Sequence, residues 1–173
     1  NGIKLIKRRV RSISSSLKYV MCNILLIYCV MFSVRAINMQ VGRTGIGGVC
    51  PHTSYSGIKP SAKLDLSVAF GELVSVISTS ADNTMNERTV DCIALLPEGA
   101  PTGNVKVLDL TTKQLVTRRI HARLPMPESV IKQLNAMAAR EGHTRRQLEE
   151  YDDGDDNDDL VEVYAPEQSL PEK

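Results

Sequence analysis

Side chains able to do chemistry fall into three groups in this chain: four cysteines with three histidines, a late run of carboxylates, and a scatter of arginines and lysines. Cys22, Cys29, Cys50 and Cys92 contain no CxxC pair, and His52, His121 and His143 stand at no zinc-ligand spacing from them. The expectation is buried, reduced thiols and an intracellular compartment, nuclear or cytoplasmic. The run DDGDDNDD looks like a calcium loop. With Gly154 at the sixth position, however, the first and third ligands would be Glu149 and Tyr151, and the tyrosine breaks the oxygen-ligand pattern. GIGG at residues 45–48 lacks the GK[ST] that completes a phosphate loop. No nucleophile elbow is present, and Asp65, Glu72, Asp82, Asp91 and Asp109 are scattered. The chain is therefore expected to carry no catalytic residue, no metal and no cofactor of its own.

The basic residues tell more. From Glu149 onward there are 11 acids and a single base, so the remainder holds 20 bases against 9 acids, a net +11 hidden under an overall +1. A basic body beside an acidic extension points to a polyanionic partner for the body. The candidates for phosphate contact are Lys4, Lys7, Arg8 and Arg11 near the start, and Lys106, Lys113, Arg118, Arg119 and Arg123 around a later hairpin.

These residues must be positioned by elements whose periods are visible in the sequence. Ile3, Ile6, Val10, Ile13 and Leu17 recur at three- and four-residue steps, the mark of one helical stripe with bases opposite it. Residues 19–34, YVMCNILLIYCVMFSV, are apolar almost all round. A helix of that length covers about 24 Å, short of a ~30 Å hydrocarbon core, so a buried core helix is expected, with a membrane span as the rival. Residues 41–60 are rich in Gly, Ser and Pro and predict a loop. Between Lys63 and Arg123 the period becomes two: Leu66, Val68 and Phe70, then Leu73 to Ile77, TVDCIALLP, NVKVLDL and LVTRRI. Four or five short strands in about sixty residues predict a small antiparallel barrel. Pro125 and Pro127 end it and open a helix with Val130, Ile131, Leu134, Met137 and Ala138 on one face, closed by Gly142. The charged remainder predicts disorder. The fold class is thus α+β: a helical pair (1–41), a loop (42–62), a barrel (63–124), a closing helix (125–142) and a disordered acidic tail (143–173).

The order of these pieces resembles a segment of the copia-type retrotransposon Pol polyprotein, from the end of the integrase core into the linker before reverse transcriptase. Ile3, Lys4 and Ile6 match the family's last core helix, in which a catalytic glutamate precedes this spacing. Asn38 matches the end of the next helix, and Met39 departs. CPHTSYSGIKP is similar to a Thr-Pro-x-Glu-x-Trp-x-Gly-x-Lys-Pro pattern: Pro51, Gly57, Lys59 and Pro60 match, Tyr55 stands for the tryptophan, and Thr53 replaces the glutamate. Phe70 and Gly71 resemble the opening of the family's Src-homology-3-like barrel, and Thr112 and Lys113 its hairpin turn, without the glycine between them. LPMPESVIKQLNAMAAREG resembles a closing helix found in some of these elements. The glycine-rich stretch between Asn38 and Pro51 departs from the family.

The resemblance implies DNA integration, in which two aspartates and a glutamate hold two divalent metals, Mg or Mn. All three carboxylates would lie upstream, so it implies a non-catalytic fragment of a DNA integrase, whose partner is the DNA phosphate backbone. It also implies that the apolar helix would pack on an absent upstream integrase core, and hence self-association. The rival function is a single-pass membrane-anchored protein with residues 19–34 as the span and a soluble β domain.

Overall fold

A computed structural model of the chain describes residues 2–40, 49–65, 67–77, 88–99 and 102–144. The expected acidic tail from residue 145, the GIGG stretch, Leu66 and Asp82 lie outside the described residues. The fold is α+β. Two helices, α1 (Gly2–Ser16) and α2 (Asn23–Asn38), are followed by two short ones, α3 (Pro51–Ser56) and α4 (Ala62–Asp65). Strands β1 (Leu73–Ile77), β2 (Thr89–Pro97), β3 (Asn104–Asp109) and β4 (Leu115–Arg123) come next, then helix α5 (Glu128–Arg140). The strands pair antiparallel in chain order, and β4 returns to β1 to close a barrel. Closure removes the open sheet edges that would otherwise invite pairing with another chain.

Alternation along the strands builds two cores. Val74, Val76, Cys92, Ala94, Val105 and Val107 face inward and pack with Val68, Val90, Val116 and Ile120. Their outward neighbours Leu73, Ile93, Leu95 and Leu108 join Leu25 and Cys29 of α2 and Val130, Leu134 and Ala138 of α5 in a second core outside the barrel. A register shift between Ala94 and Leu96 lets two successive leucines, Leu95 and Leu96, reach this helix side. Strand β2 is thus apolar on both faces because both are covered.

The apolar run does not become one helix from residue 19. Residues 19–22 pass over the barrel and are tied down on the way: the Tyr19 hydroxyl donates to the Gly71 carbonyl at 3.1 Å, and the Val20 amide donates to Asn135 Oδ1 at 2.8 Å. Gly71 sits at φ +82°, and a Cβ there would run into the Leu17 side chain and the Tyr19 hydroxyl. The Asn23 amide then donates to Glu141 at 2.6 Å, which places a carboxylate at the start of α2. Helix α5 ends with the Gly142 amide donating to the Ala139 carbonyl and the His143 amide to the Ala138 carbonyl, the paired bonds of a Schellman ending.

Three further expectations change. Helix α2 does have a covering surface within this chain: Leu25 and Cys29 are fully buried on the barrel and α5. Only its opposite stripe, Ile27, Val30 and Met31, stays exposed. The alternation from Val68 to Phe70 is not a strand but bends and a turn after α4, with Val68 and Phe70 buried all the same. Within the expected loop, residues 51–56 form α3, with Pro51 in its first turn and the Cys50 sulfur accepting from the Thr53 amide. Among the described residues, no helix is long and apolar enough to cross a membrane.

The side of α2 that matters for stability follows directly. Leu25→Ala should lower the unfolding free energy by about 2 to 5 kcal/mol, as a fully buried leucine does, whereas Ile27→Ser should stay within about 0.5 kcal/mol. Urea denaturation of the two variants checks this.

Candidate nucleic-acid interface

Among the described strands, β4 alone has no buried residue, and it lies on the side of the barrel away from the second core. It carries most of the hairpin bases, and period-two geometry sorts them at once. Arg118 pairs with inward-facing Val105 and is half-buried, its guanidinium donating to the Thr117 carbonyl at 2.8 Å. Arg119 pairs with Asn104 and is exposed. The neighbouring arginines therefore occupy opposite faces. Beyond them the β1 to β4 register slips, so that Val76 faces Ile120 and Ser75 faces Ala122, leaving His121 as the extra residue of a bulge.

At this bulge the barrel meets α4 and the end of the turn between β2 and β3. Together they form an open cleft of about 610 Å³, within the size range of small-ligand sites. Its charged and ionisable lining residues are Lys63, Arg119, His121 and Arg123, with hydroxyls from Ser61, Ser67 and Thr102, and among the described residues no carboxylate lines it. The Ser67 hydroxyl is buried and has no hydrogen-bond partner among the described residues. Arg123 donates to the Ser67 carbonyl and lies 3.8 Å from Glu72 at the cleft margin. Arg119 is the more open of the two arginines for a bound anion.

Lys63 reaches the cleft because α4 is locked from behind. Asp65 is nine-tenths buried; its Oδ1 accepts from Arg35 of α2 at 2.7 Å and its Oδ2 from the Ser61 amide at 2.8 Å. Gly99, at φ +71°, lies flat against this pair, where any side chain would collide with the guanidinium and the carboxylate. A largely desolvated ion pair is costly to break from one side, since the partner is left buried and uncompensated. Sequence reasoning missed Lys63 and His121. The slip that exposes His121 and the ion pair that fixes α4 are both tertiary, and neither leaves a local signal.

The remaining candidates lie elsewhere. Lys113 is exposed in the turn between β3 and β4, at the far end of that hairpin from Arg119. Lys106 extends over the Tyr28 ring of α2, 5.9 Å from its centroid, a cation–π contact that ties it to the helix side. Lys4, Lys7, Arg8 and Arg11 are all exposed on α1, a helix without acidic residues. The basic surface is thus a cleft and a helix rather than a single rim around the hairpin.

The Lys113 turn is built by a carboxylate. Asp109 Oδ1 accepts from the amides of Thr111 at 2.7 Å and Thr112 at 3.2 Å, and Oδ2 accepts from the Thr112 hydroxyl at 2.7 Å. Lys113 takes the left-handed conformation, φ 59°, that a glycine would normally supply. Burial pushes the Asp109 carboxyl up, but these hydrogen bonds outweigh it and hold it below the ordinary value. The cysteines play no part at the cleft. All four are free and buried, and burial raises the thiols of Cys29 to about 11 and Cys92 to about 12. Among the described residues, no group of three or more His, Cys, Asp and Glu side chains is placed to hold a metal ion.

No family model, curated protein or solved structure matches this chain.

The turn carries a pH signature. A carboxyl depressed in the folded state adds stability that is complete above the unfolded value, about 4, and lost as pH falls through the lower folded value. Asp109→Asn should therefore be less stable than the parent at pH 7, and the gap should close as pH drops below about 4. Urea midpoints across pH 2 to 7 measure it, and a gap independent of pH would remove the carboxylate from this role.

Proposed function

We propose that this chain is a non-catalytic DNA-binding module of the copia-type integrase kind, gripping duplex DNA by its phosphates without choosing sequence. The observation that carries this reading is the cleft beside β4. Lys63, Arg119 and Arg123 line it together with Ser61 and Thr102, and among the described residues no acidic side chain lines the concavity. Lysine, arginine and hydroxyl contacts to phosphate give affinity and register but carry no base information. The exposed bases of α1 supply a second positive surface. No Phe, Tyr or Trp lines the cleft among the described residues, and its one ring is that of His121, which favours backbone contact over the stacking of successive bases used for single strands.

The resemblance supports the same role, because helices, a small barrel and a closing helix follow one another in the order that the family would have. Integration chemistry would belong to upstream carboxylates, and no strand-transfer step is assigned to this chain. Such a role belongs in the nucleus or cytoplasm. The membrane-anchored alternative is weakened by α2 itself, which begins only at Asn23 and has one face packed on the barrel.

Fluorescence anisotropy of the full chain with a short duplex, between 50 and 200 mM salt, tests the proposal. The logarithm of the binding constant should fall linearly with the logarithm of salt concentration. Lys63→Ala with Arg119→Ala should flatten that slope by about 2, at roughly 0.9 for each phosphate no longer neutralised. Lys132→Ala, on the exposed face of α5, should leave it unchanged. Absence of binding at 50 mM salt would remove the DNA reading, and an equal effect of Lys132→Ala would remove the cleft.

A further inference from the structure

Helix α1 contains a feature that phosphate binding leaves unused. Its last ten residues read KRRVRSISSS, with Lys7, Arg8, Arg9 and Arg11 shortly before Ser12 and the apolar Ile13 immediately after it. We infer that Ser12 is a phosphorylation site for an arginine-directed, ATP-dependent serine kinase. Recognition by such a kinase is electrostatic: acidic pockets read arginines three and four residues before the acceptor, and Arg9 and Arg8 stand there.

The structure distinguishes Ser12 from its neighbours and from the buried serines. Ser12 is exposed, whereas Ser33 and Ser75 are buried and Ser14 is half-buried. Ser15 and Ser16 have Ser12 and Ile13, not an arginine, three residues before them. A kinase reads its substrate in extended form, so the end of the helix must open. Helix α1 contributes no fully buried residue, and Val10 and Ile13 only lean on the outer core. Opening it costs less than opening α2 or α5, which insert fully buried side chains.

The transfer balances simply. The Ser12 hydroxyl oxygen bonds the γ-phosphorus of ATP, the bond from that phosphorus to the β-phosphate oxygen breaks, ADP leaves, and the hydroxyl proton goes to the kinase's base. The product adds about −2 charges at pH 7, one turn from Arg8 and close to Arg9 and Arg11. It also places negative charge near the helix C-terminus, where the dipole opposes it. Both effects reduce the positive surface that α1 offers to a polyanion. This consequence rests on the DNA reading above; the modification itself does not.

The test incubates the full chain with the catalytic subunit of an arginine-directed serine kinase and MgATP, then locates phosphate by peptide mass analysis and measures duplex binding before and after. The expected result is one phosphate at Ser12, abolished by Ser12→Ala, retained by Ser14→Ala, and formed at least tenfold more slowly in Arg9→Ala. Duplex affinity at 50 mM salt should fall at least tenfold on phosphorylation. Phosphate found at Ser14 instead, or none in helix α1, overturns the site. Phosphate at Ser12 with unchanged affinity overturns the switch. A chain that takes the phosphate but never bound DNA leaves the site standing and removes the functional reading.

Discussion

Everything in this molecule depends on a barrel that is apolar outside as well as inside. Leu73, Ile93, Leu95 and Leu108 project outward from β1, β2 and β3, and water cannot be left against them. The cover is supplied by α2 and α5, whose residues Leu25, Cys29, Leu134 and Ala138 are fully buried. At ~25 cal/mol per Å² of apolar surface, this second core is as necessary to a small barrel as the first, because one barrel interior alone encloses few side chains. The hydrogen bonds from Tyr19, Val20 and Gln133 to Gly71, Asn135 and Leu110 then fix where the cover lies.

Covering one side leaves the other to water, and this sidedness distributes the charge. Strand β4 has no buried residue and gives none to the second core, so it can carry Arg119, His121 and Arg123 without desolvating them. A base placed on the covered side has to lie at its margin, as Lys106 does beside Tyr28. The cleft is a by-product of the same constraint. Helix α4 sits at the bare side and is drawn there by Asp65, whose carboxylate reaches back to Arg35 on the covering helix. One ion pair therefore links the dry side of the barrel to the position of Lys63 on the wet side.

Much of the fold was legible from period alone. The stripe Val130, Leu134, Ala138 and the alternation in NVKVLDL are local patterns, and local geometry obeys them. The failures have physical causes. Residues from Val68 to Phe70 alternate like a strand, but Ser61 and Asp65 exchange hydrogen bonds that wind the preceding turn into α4, and the Gly71 amide instead meets the Ala94 carbonyl. The apolar run reads as one helix from residue 19, yet the Tyr19 hydroxyl is held by Gly71 and the Val20 amide is spent on Asn135, outside any helix. At the candidate site, the separation of Arg118 from Arg119 was readable, since adjacent strand residues must face apart. Lys63 and His121 were not, because a register slip and a tertiary ion pair brought them there.

Anion affinity in a concave surface comes from converging like charges, which repel one another until a ligand arrives, so something must hold them in place. Here each is held differently. Lys63 is placed by α4 and its buried aspartate, Arg119 by its ladder position opposite Asn104, and Arg123 by the Ser67 carbonyl and the nearby Glu72. None of these supports reads a base or distinguishes one phosphate from the next. On the DNA reading proposed above, a scaffold whose fixed contacts hold cations in this way would follow the common backbone of the duplex rather than its sequence.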